Sequence, residues 1–298
     1  MEINYDNIID YYKTDIKKIL KNKNRYYHSF DIPKRSGGKR RISEPSEKLK
    51  HIQRILYDEI FRPKKYLIHK CAYAYVPGRD IKECVEKHVG KAIVVKLDIT
   101  GFFSSITTHH ISDTLKYSFG MSDDTAKTIT KLCTLNGVLP QSATTSPIIS
   151  NFVCRKLDRR LFGYCSKHDI EYTRYADDLI FSGDFNPKEL IGYVSWALRD
   201  YYGFRLNYDK LRIMRKHQQQ VVLGLLVNQQ CRLTKEKRHE LRQTLYYAQK
   251  YGVADYLRHT AQEIQSLMGY VDYAVSMSGE PFIKELQDLL RKYVEEKK

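Results

Sequence analysis

The sequence contains no Cys-x-x-Cys pair. Its six cysteines, Cys71, Cys84, Cys133, Cys154, Cys165 and Cys231, are scattered. That spacing argues against a structural zinc site and reads as reduced, mostly buried thiols. No apolar run approaches the roughly 18 residues that a membrane span needs. The start, Met1-Glu2-Ile3-Asn4-Tyr5-Asp6, lacks the basic-then-apolar order of a signal peptide. A cytoplasmic protein without a membrane segment is the expectation. Internal repeats and low-complexity tracts are missing as well. Acidic residues are scarce: 35 Asp and Glu stand against 51 Lys and Arg, and the net charge is +16 over 298 residues. Such a surplus calls for a polyanionic partner, and without a membrane segment nucleic acid is the better choice. Aromatics are plentiful, with 24 Tyr and 11 Phe. They suit base stacking, although most aromatics in any chain are core. The length allows one large domain or two to three subdomains.

The stretch around which the chain is organised is Tyr172-Thr173-Arg174-Tyr175-Ala176-Asp177-Asp178-Leu179-Ile180-Phe181-Ser182-Gly183. Two adjacent carboxylates lie between two runs that read as short strands. Like charges at a hairpin tip repel, so the pair does little for stability. It is well suited to a hard divalent cation, which takes carboxylate oxygens. Alone, it reads first as an ordinary acidic turn.

Residues 1–23 read as one amphipathic helix, with Ile8, Ile9, Tyr12, Ile16 and Ile19-Leu20 at near-helical spacing. Tyr27 to Pro33 reads as a strand, Gly37-Gly38 as a turn, and a second strand follows from Ile42. The connecting Lys34 to Arg41 is strongly cationic: a solvated turn or a flap that closes on phosphates. A core helix follows around Leu49, Ile52, Ile55 and Leu56. Cys71 to Val76 reads as a short strand, followed by a Pro77-Gly78-Arg79 turn and a helix that Asp80 could cap. Ala92 to Leu97 is a β-branched buried strand ending in Asp98, either a turn cap or a carboxylate at a strand's carboxyl end, a frequent site geometry. Two helices are expected over 108–133, a long helix after Pro147 running to about Phe162, another over 187–202, and a last apolar strand from Val221 to Val227. From Gln229 the composition shifts to three helices, the first of them basic and Tyr-rich, with breaks near Gly252 and at Gly279-Glu280-Pro281.

Taken together, Asp98, the Asp177-Asp178 pair and the cationic hairpin supply what nucleotidyl transfer needs. Two divalent ions about 3.5–4 Å apart activate an attacking 3′-hydroxyl and stabilise the departing pyrophosphate. Here the chain resembles a reverse transcriptase from about residue 27 onward. Tyr175-Ala176-Asp177-Asp178 matches the family's Tyr-x-Asp-Asp box, and Asp98 with Phe102-Phe103 its first metal-binding motif. Leu139-Pro140-Gln141-Ser142-Ala143-Thr144-Thr145-Ser146-Pro147 resembles Leu-Pro-Gln-Gly-x-x-x-Ser-Pro. Ile32-Pro33-Lys34 with Gly38-Lys39-Arg40-Arg41 resembles the fingers hairpin, and Lys210 falls where the family carries a lysine near the pyrophosphate.

The resemblance implies an α+β right-hand fold: a helical extension over 1–25, fingers over 26–90, a palm over 91–228 that includes part of the fingers (about 108–140), and a helical thumb over 229–298. It implies two Mg²⁺ ions on Asp98, Asp177 and the Ile99 backbone carbonyl, with Asp178 in support. Phe103 would exclude a 2′-hydroxyl, Gln141 would contact the incoming deoxynucleoside triphosphate, and Lys34 and Arg40 would grip its phosphates, with Arg41 sharing this if the register shifts by one. The compact length, with no nuclease, ribonuclease H or maturase domain after the thumb, most resembles a bacterial retron reverse transcriptase. A retron enzyme implies a structured noncoding RNA that is primer and template at once, priming from a 2′-hydroxyl, an RNA–DNA product and an effector protein in antiphage defence. Three departures stand out. Val222-Leu223-Gly224 replaces the retron Val-Thr-Gly that contacts RNA, Tyr73 stands where a histidine is usual, and Ser142 replaces glycine. The alternatives are a non-retron antiphage or group II intron-like reverse transcriptase and a catalytically silent RNA-binding protein of the same fold. In the thumb, Lys235, Arg238 and Arg242 share a helical face, with Lys237 and Tyr246 nearby, and would track an RNA or RNA–DNA duplex by its phosphates.

Overall fold

The computed structural model describes residues 4–33 and 37–297. Asn4 opens α1 (Tyr5–Tyr11) by accepting from the Asn7 N–H. The single helix expected over 1–23 is in fact two. Tyr12 leaves the helical region at φ −96° and ψ 12°, and α2 (Lys13–Lys21) restarts beyond it. Only α2 buries side chains, Ile16 and Ile19, so the break lets that half turn its apolar face inward. β1 (Tyr27–Pro33) and β2 (Lys39–Pro45) pair antiparallel, and β2 starts at Lys39 rather than Ile42. Gly37 and Gly38 between them take φ of 85° and 80°, values that favour glycine. α3 (Glu47–Ile55) runs on through a π-helical turn, Leu56–Phe61, and buries Leu49, Ile52, Ile60 and Phe61.

The strand expected over Cys71 to Val76 does not form. The segment makes one parallel bridge, Ala72 with Arg174. Arg174 N–H donates to the Cys71 carbonyl at 2.7 Å and Tyr73 N–H to the Arg174 carbonyl at 2.9 Å. Tyr75 then takes φ 62°, which ends any extension. α4 (Ile81–Glu86) precedes β3 (Ile93–Asp98), which is buried throughout except for the half-exposed Lys96. α5 (Phe102–Ser105) is a single turn. α6 (Thr108–Phe119) is capped by Thr107 with His110, and α7 (Asp123–Cys133) by Ser122. α8 (Ser146–Lys167) carries Pro147 in its first turn, where the missing N–H costs nothing. β4 (Glu171–Tyr175) and β5 (Asp178–Gly183) form the expected hairpin, followed by α9 (Pro187–Tyr202) and β6 (Arg212–Arg215).

Val221 to Val227 is not one strand. It folds back on itself as β7 (Val221–Val222) and β8 (Leu225–Leu226), because Leu223 and Gly224 take φ of 49° and 81°. Positive φ at both central residues is what a type I′ hairpin turn requires. β9 (Arg232–Leu233) adds to this small sheet. Four helices close the chain rather than three: α10 (Lys235–Tyr251), α11 (Val253–Thr260), α12 (Ile264–Ser278) and α13 (Pro281–Glu295). The additional break falls at Ala261, held at φ 51° with no glycine or proline to mark it.

The chain divides into two compact units, Met1–Asp80 with Val95–Ile213 and Ile81–Val94 with Met214–Lys298. The first contains a four-stranded sheet in the order β4-β5-β3-β6. In the second, Gly90 N–H donates to the Val227 carbonyl at 2.9 Å and the Gln220 side chain to the Lys91 carbonyl at 3.1 Å. These bonds tie the early segment to the small sheet. Leu241, Leu245, Val271, Leu286 and Leu290 form that unit's core.

Candidate active site

Asp98 stands at the carboxyl end of β3, and backbone bonds fix it from two sides. Its carbonyl accepts from Asn207 N–H at 2.8 Å, and Thr100 N–H donates to the Arg205 carbonyl at 2.8 Å. On the other side Ile99 N–H donates to the Asp177 carbonyl at 3.1 Å. This last bond joins the two stretches that carry the predicted carboxylates.

Tyr175 pairs with Asp178, so Ala176 and Asp177 make a two-residue turn. Ala176 takes φ 57°. Such a conformation disfavours any residue with a Cβ, by roughly 1–2 kcal/mol. Arg174 offsets it. Its Nη1 donates to the Ala176 carbonyl at 3.1 Å. The same guanidinium donates from Nε and Nη2 to both Asp158 oxygens of α8, at 2.8 and 2.7 Å, and from Nη2 to Asn151 Oδ1 at 2.9 Å. The Tyr172 hydroxyl donates to Asp158 at 3.1 Å. Arg174 and Asp158 are wholly buried, so the turn is anchored from within by a fully engaged ion pair.

Burial first, and then the neighbouring Asp178 and Asp98 carboxylates, hold Asp177 above the ordinary carboxyl value. Burial also raises Asp178, against the Lys96 ammonium 3.1 Å away. The Lys210 ammonium donates to Asp98 Oδ2 at 2.9 Å, a bond that raises the lysine. Among the described residues, no three His, Cys, Asp or Glu side chains are grouped so as to hold a metal ion. Two of the three carboxylates are held by lysines instead. The donors are all hard oxygens, and the mutual repulsion that raises Asp177 is what a divalent cation would relieve. The residue types therefore fit such an ion once Lys96 and Lys210 release their partners.

One cavity of about 830 Å³ is lined by Asp98, Ile99, Asp177, Arg40, Phe103, Gln141 and Lys210. Arg40 enters it from β2 beside Ile32 and Ile42. Arg41, one residue on, stands on the other face of the strand and meets Asp31 at 3.5 Å. Lys34 lies outside the described residues. Phe103 and Phe102 both line the cavity, Phe102 almost wholly buried; beside Phe103 lie the rings of Phe102, at 5.4 Å, and Tyr75, at 6.5 Å. Tyr75 and Lys96 were not among the residues singled out by sequence. Lys96 carried a signal: it is the lone charge inside an apolar strand, two residues before Asp98 and hence on the same face.

The residues expected to bind RNA lie in the second unit. Val222 is buried, Leu223 and Gly224 form the β7–β8 turn, and Lys237 Nζ would lie 3.3 Å from a Cβ at Gly224. Of the stripe, Lys235 and Arg242 are exposed and Arg238 is half-buried. Arg238 pairs with Glu280 at the start of α13, at 3.3 Å, and the Arg242 guanidinium lies 4.5 Å over the Phe282 ring. The exposed part of α10 carries Tyr246, Tyr247 and Tyr251, with Lys250 over two of the rings.

The model of the reverse transcriptase (RNA-dependent DNA polymerase) family matches residues 32–227. The chain belongs to the reverse transcriptase family. It is similar to the retron Mx65 reverse transcriptase of Myxococcus xanthus, with 35% identity over 266 residues, 83% of this chain and 61% of that protein. It is also similar to the retron Ec83 reverse transcriptase of Escherichia coli, with 30% identity over 280 residues, 88% of this chain and 86% of that protein. The chain thus spans 61% of the length of the M. xanthus Mx65 and Mx162 relatives. Among solved structures, telomerase of Candida albicans, in complex with a fragment of telomeric RNA, shares the fold at TM-score 0.55 and 11% identity, covering 89% of this chain and 58% of that one. Apo telomerase of Candida tropicalis, lacking its C-terminal domain, gives a TM-score of 0.52 at 13% identity, over 74% and 59% of the two chains. The α+β reverse transcriptase fold implied by the sequence is borne out. No helix among the described residues is long and apolar enough to cross a membrane.

Proposed function

We propose that this member of the family is an RNA-directed DNA polymerase of the retron type, copying part of a structured noncoding RNA that is both primer and template. The observation that carries this reading is the junction of Asp98 with Asp177 through the Ile99–Asp177 backbone bond, at the rim of a cavity that also holds Arg40, Gln141 and Lys210. When bound, two Mg²⁺ ions would activate the attacking hydroxyl and stabilise the leaving pyrophosphate. Asp98, Asp177 and the Ile99 carbonyl would hold them, and Asp178, steadied by Lys96, would support Asp177. Arg40 and Lys210 neutralise the triphosphate of the incoming deoxynucleotide, with Lys34 from the same hairpin, and Gln141 orients its base and sugar. The division into an extension over 1–25, fingers over 26–90, palm over 91–228 and thumb over 229–298 belongs to the same reading. So do a cytoplasmic setting and an effector partner in antiphage defence; a strain with Asp177→Asn that still restricts phage would separate defence from synthesis. Sequencing the nucleic acid that copurifies tests the core of the reading. RNA joined to complementary DNA is expected, and a preparation free of DNA that extends no RNA-templated primer would overturn it.

Phe103 sets sugar choice in this scheme. Phe103→Ala is expected to raise ribonucleotide incorporation relative to deoxynucleotide by about tenfold or more, on the scale of the 1–3 kcal/mol that small steric differences in a pocket command. Steady-state incorporation of each sugar type measures it. An unchanged ratio would hand the role to another ring lining the cavity, Phe102 or Tyr75.

In the thumb, the exposed Tyr246, Tyr247 and Lys250 join Lys235 and Arg242 as RNA contacts, while Arg238 is engaged by Glu280. Tyr246→Ala with Lys250→Ala should weaken RNA binding by about 1–3 kcal/mol per lost stacked base without moving the melting temperature. Arg238→Ala should lower the melting temperature, because it strands Glu280. Melting curves and RNA titrations on both variants decide; the reverse pattern would restore Arg238 as an RNA contact.

A further inference from the structure

A second cavity lies in the first unit, formed by α6, α8 and α9, and shares no lining residue with the cavity that holds Asp98 and Asp177. Its volume is about 380 Å³, within the range of small-ligand sites and adequate for a single nucleotide. α8 contributes Arg155, Lys156 and Arg160, and none of these makes an ion pair among the described residues. The lining's acid, Asp113, already faces His109 at 3.4 Å. The site is therefore cationic, and no carboxylate among the described residues pairs with its Arg or Lys side chains.

Arg160 is prepared for an anion. Its guanidinium lies 3.9 Å over the Tyr201 ring and 5.9 Å from that of Trp196. Stacking fixes the plane and leaves the in-plane N–H donors free, the arrangement that meets phosphate with two parallel bonds. Tyr201 is 47% exposed, so the aromatic wall is open to a base. Arg159, next to Arg160 on α8, is exposed and lies outside the lining. A mononucleotide would leave that charge idle, whereas a polymer would use it.

We propose that this cavity is a second nucleic-acid site, which takes a phosphodiester segment of single-stranded RNA with its phosphates on Arg155, Lys156 and Arg160 and a base beside Tyr201. The proposal rests on the reading of the chain as an enzyme that copies RNA. It adds an anchor outside the catalytic cavity, so that part of the RNA stays bound while another part is copied. The anchor adjoins the catalytic floor. The Phe204 ring lies 5.2 Å from Tyr202 and 6.4 Å from Phe102, which in turn lies 5.4 Å from Phe103.

The test uses the full chain and a labelled single-stranded RNA without self-complementarity. Arg155→Ala with Arg160→Ala should weaken binding about tenfold near 0.1 M salt and flatten the plot of log affinity against log salt by about 1.4, since each single-strand phosphate contact contributes about 0.7. Extension of a pre-annealed primer on an exogenous RNA template should persist, because neither arginine lines the catalytic cavity. Lys156→Glu, at an exposed position, should act in the same direction and guards against misfolding of the double variant. RNA carrying 4-thiouridine should crosslink to the peptide containing Tyr201 in the parent and not in the double variant. Parent affinity, slope and crosslink in both variants would overturn the proposal. So would displacement of the crosslinked RNA by a nucleoside triphosphate at equal concentration, which would make the site a mononucleotide pocket. Failure of the parent to extend any primer would strike the polymerase reading instead, and the crosslink would still report on this cavity.

Discussion

Asp177→Asn is expected to abolish DNA synthesis and, at the same time, to raise the melting temperature. The loss should be at least about 10²–10³-fold, the scale on which one preorganised electrostatic contact to a transition state is felt. The gain in stability follows from the direction of the shift. Burial and the Asp178 and Asp98 carboxylates raise the Asp177 carboxyl above its ordinary 3.8, so the folded chain binds this proton more tightly than the unfolded chain. Ionisation at neutral pH therefore works against folding, and its unfavourable contribution sets in as pH rises through the folded pKa. The asparagine variant removes it. Its advantage in melting temperature should be full at pH 7–8 and shrink as pH falls toward 3.8. Primer extension with Mg²⁺ and melting curves at several pH values check both halves. Near-parental synthesis would remove Asp177 from the chemistry, and a lower melting temperature would mean the carboxylate is a structural partner.

Arg174→Met should cost about 3–5 kcal/mol, because it leaves Asp158 charged and buried without its partner. For a chain of this size that is a drop of roughly 10 °C in melting temperature. Adding Asp158→Leu should recover much of the stability, since replacing both members of a buried pair by apolar residues is often near neutral. Synthesis should not recover with it. The double variant still lacks the donor to the Ala176 carbonyl, and the turn that presents Asp177 loses its anchor. Recovery of both properties together would reduce Arg174 to packing. Stability without synthesis identifies it as a positioning residue.

The catalytic half of the molecule was legible in the sequence because its signals are local. An apolar β-branched run that stops at Asp98, and two short strands around Asp177-Asp178, need only side-chain alternation to be placed. What escaped depends on distant partners. Arg238 and Arg242 share a helix face as read, but Glu280 engages Arg238 and the Phe282 ring lies under the exposed Arg242. Arg174 is anonymous until Asp158 of α8 meets it. The run from Val221 to Val227 hid its turn because apolar residues surround Gly224 and a leucine takes the other positive φ. The break at Ala261 has no breaker residue at all. Arg40 and Arg41 could be told apart only once the register of β2 against β1 was fixed.

Lys96 and Lys210, seated on Asp178 and Asp98, have a consequence for biogenesis. A chain that supplies its own counter-ions to its acidic cluster can finish folding in the absence of any metal, unlike small domains whose fold is assembled around an ion. Folding and activation then become separate events. Newly made protein can stand by, intact and inert, and a chelator should silence it without unfolding it. For the proposed polymerase, synthesis should then track the supply of divalent cation and triphosphate rather than the supply of folded protein.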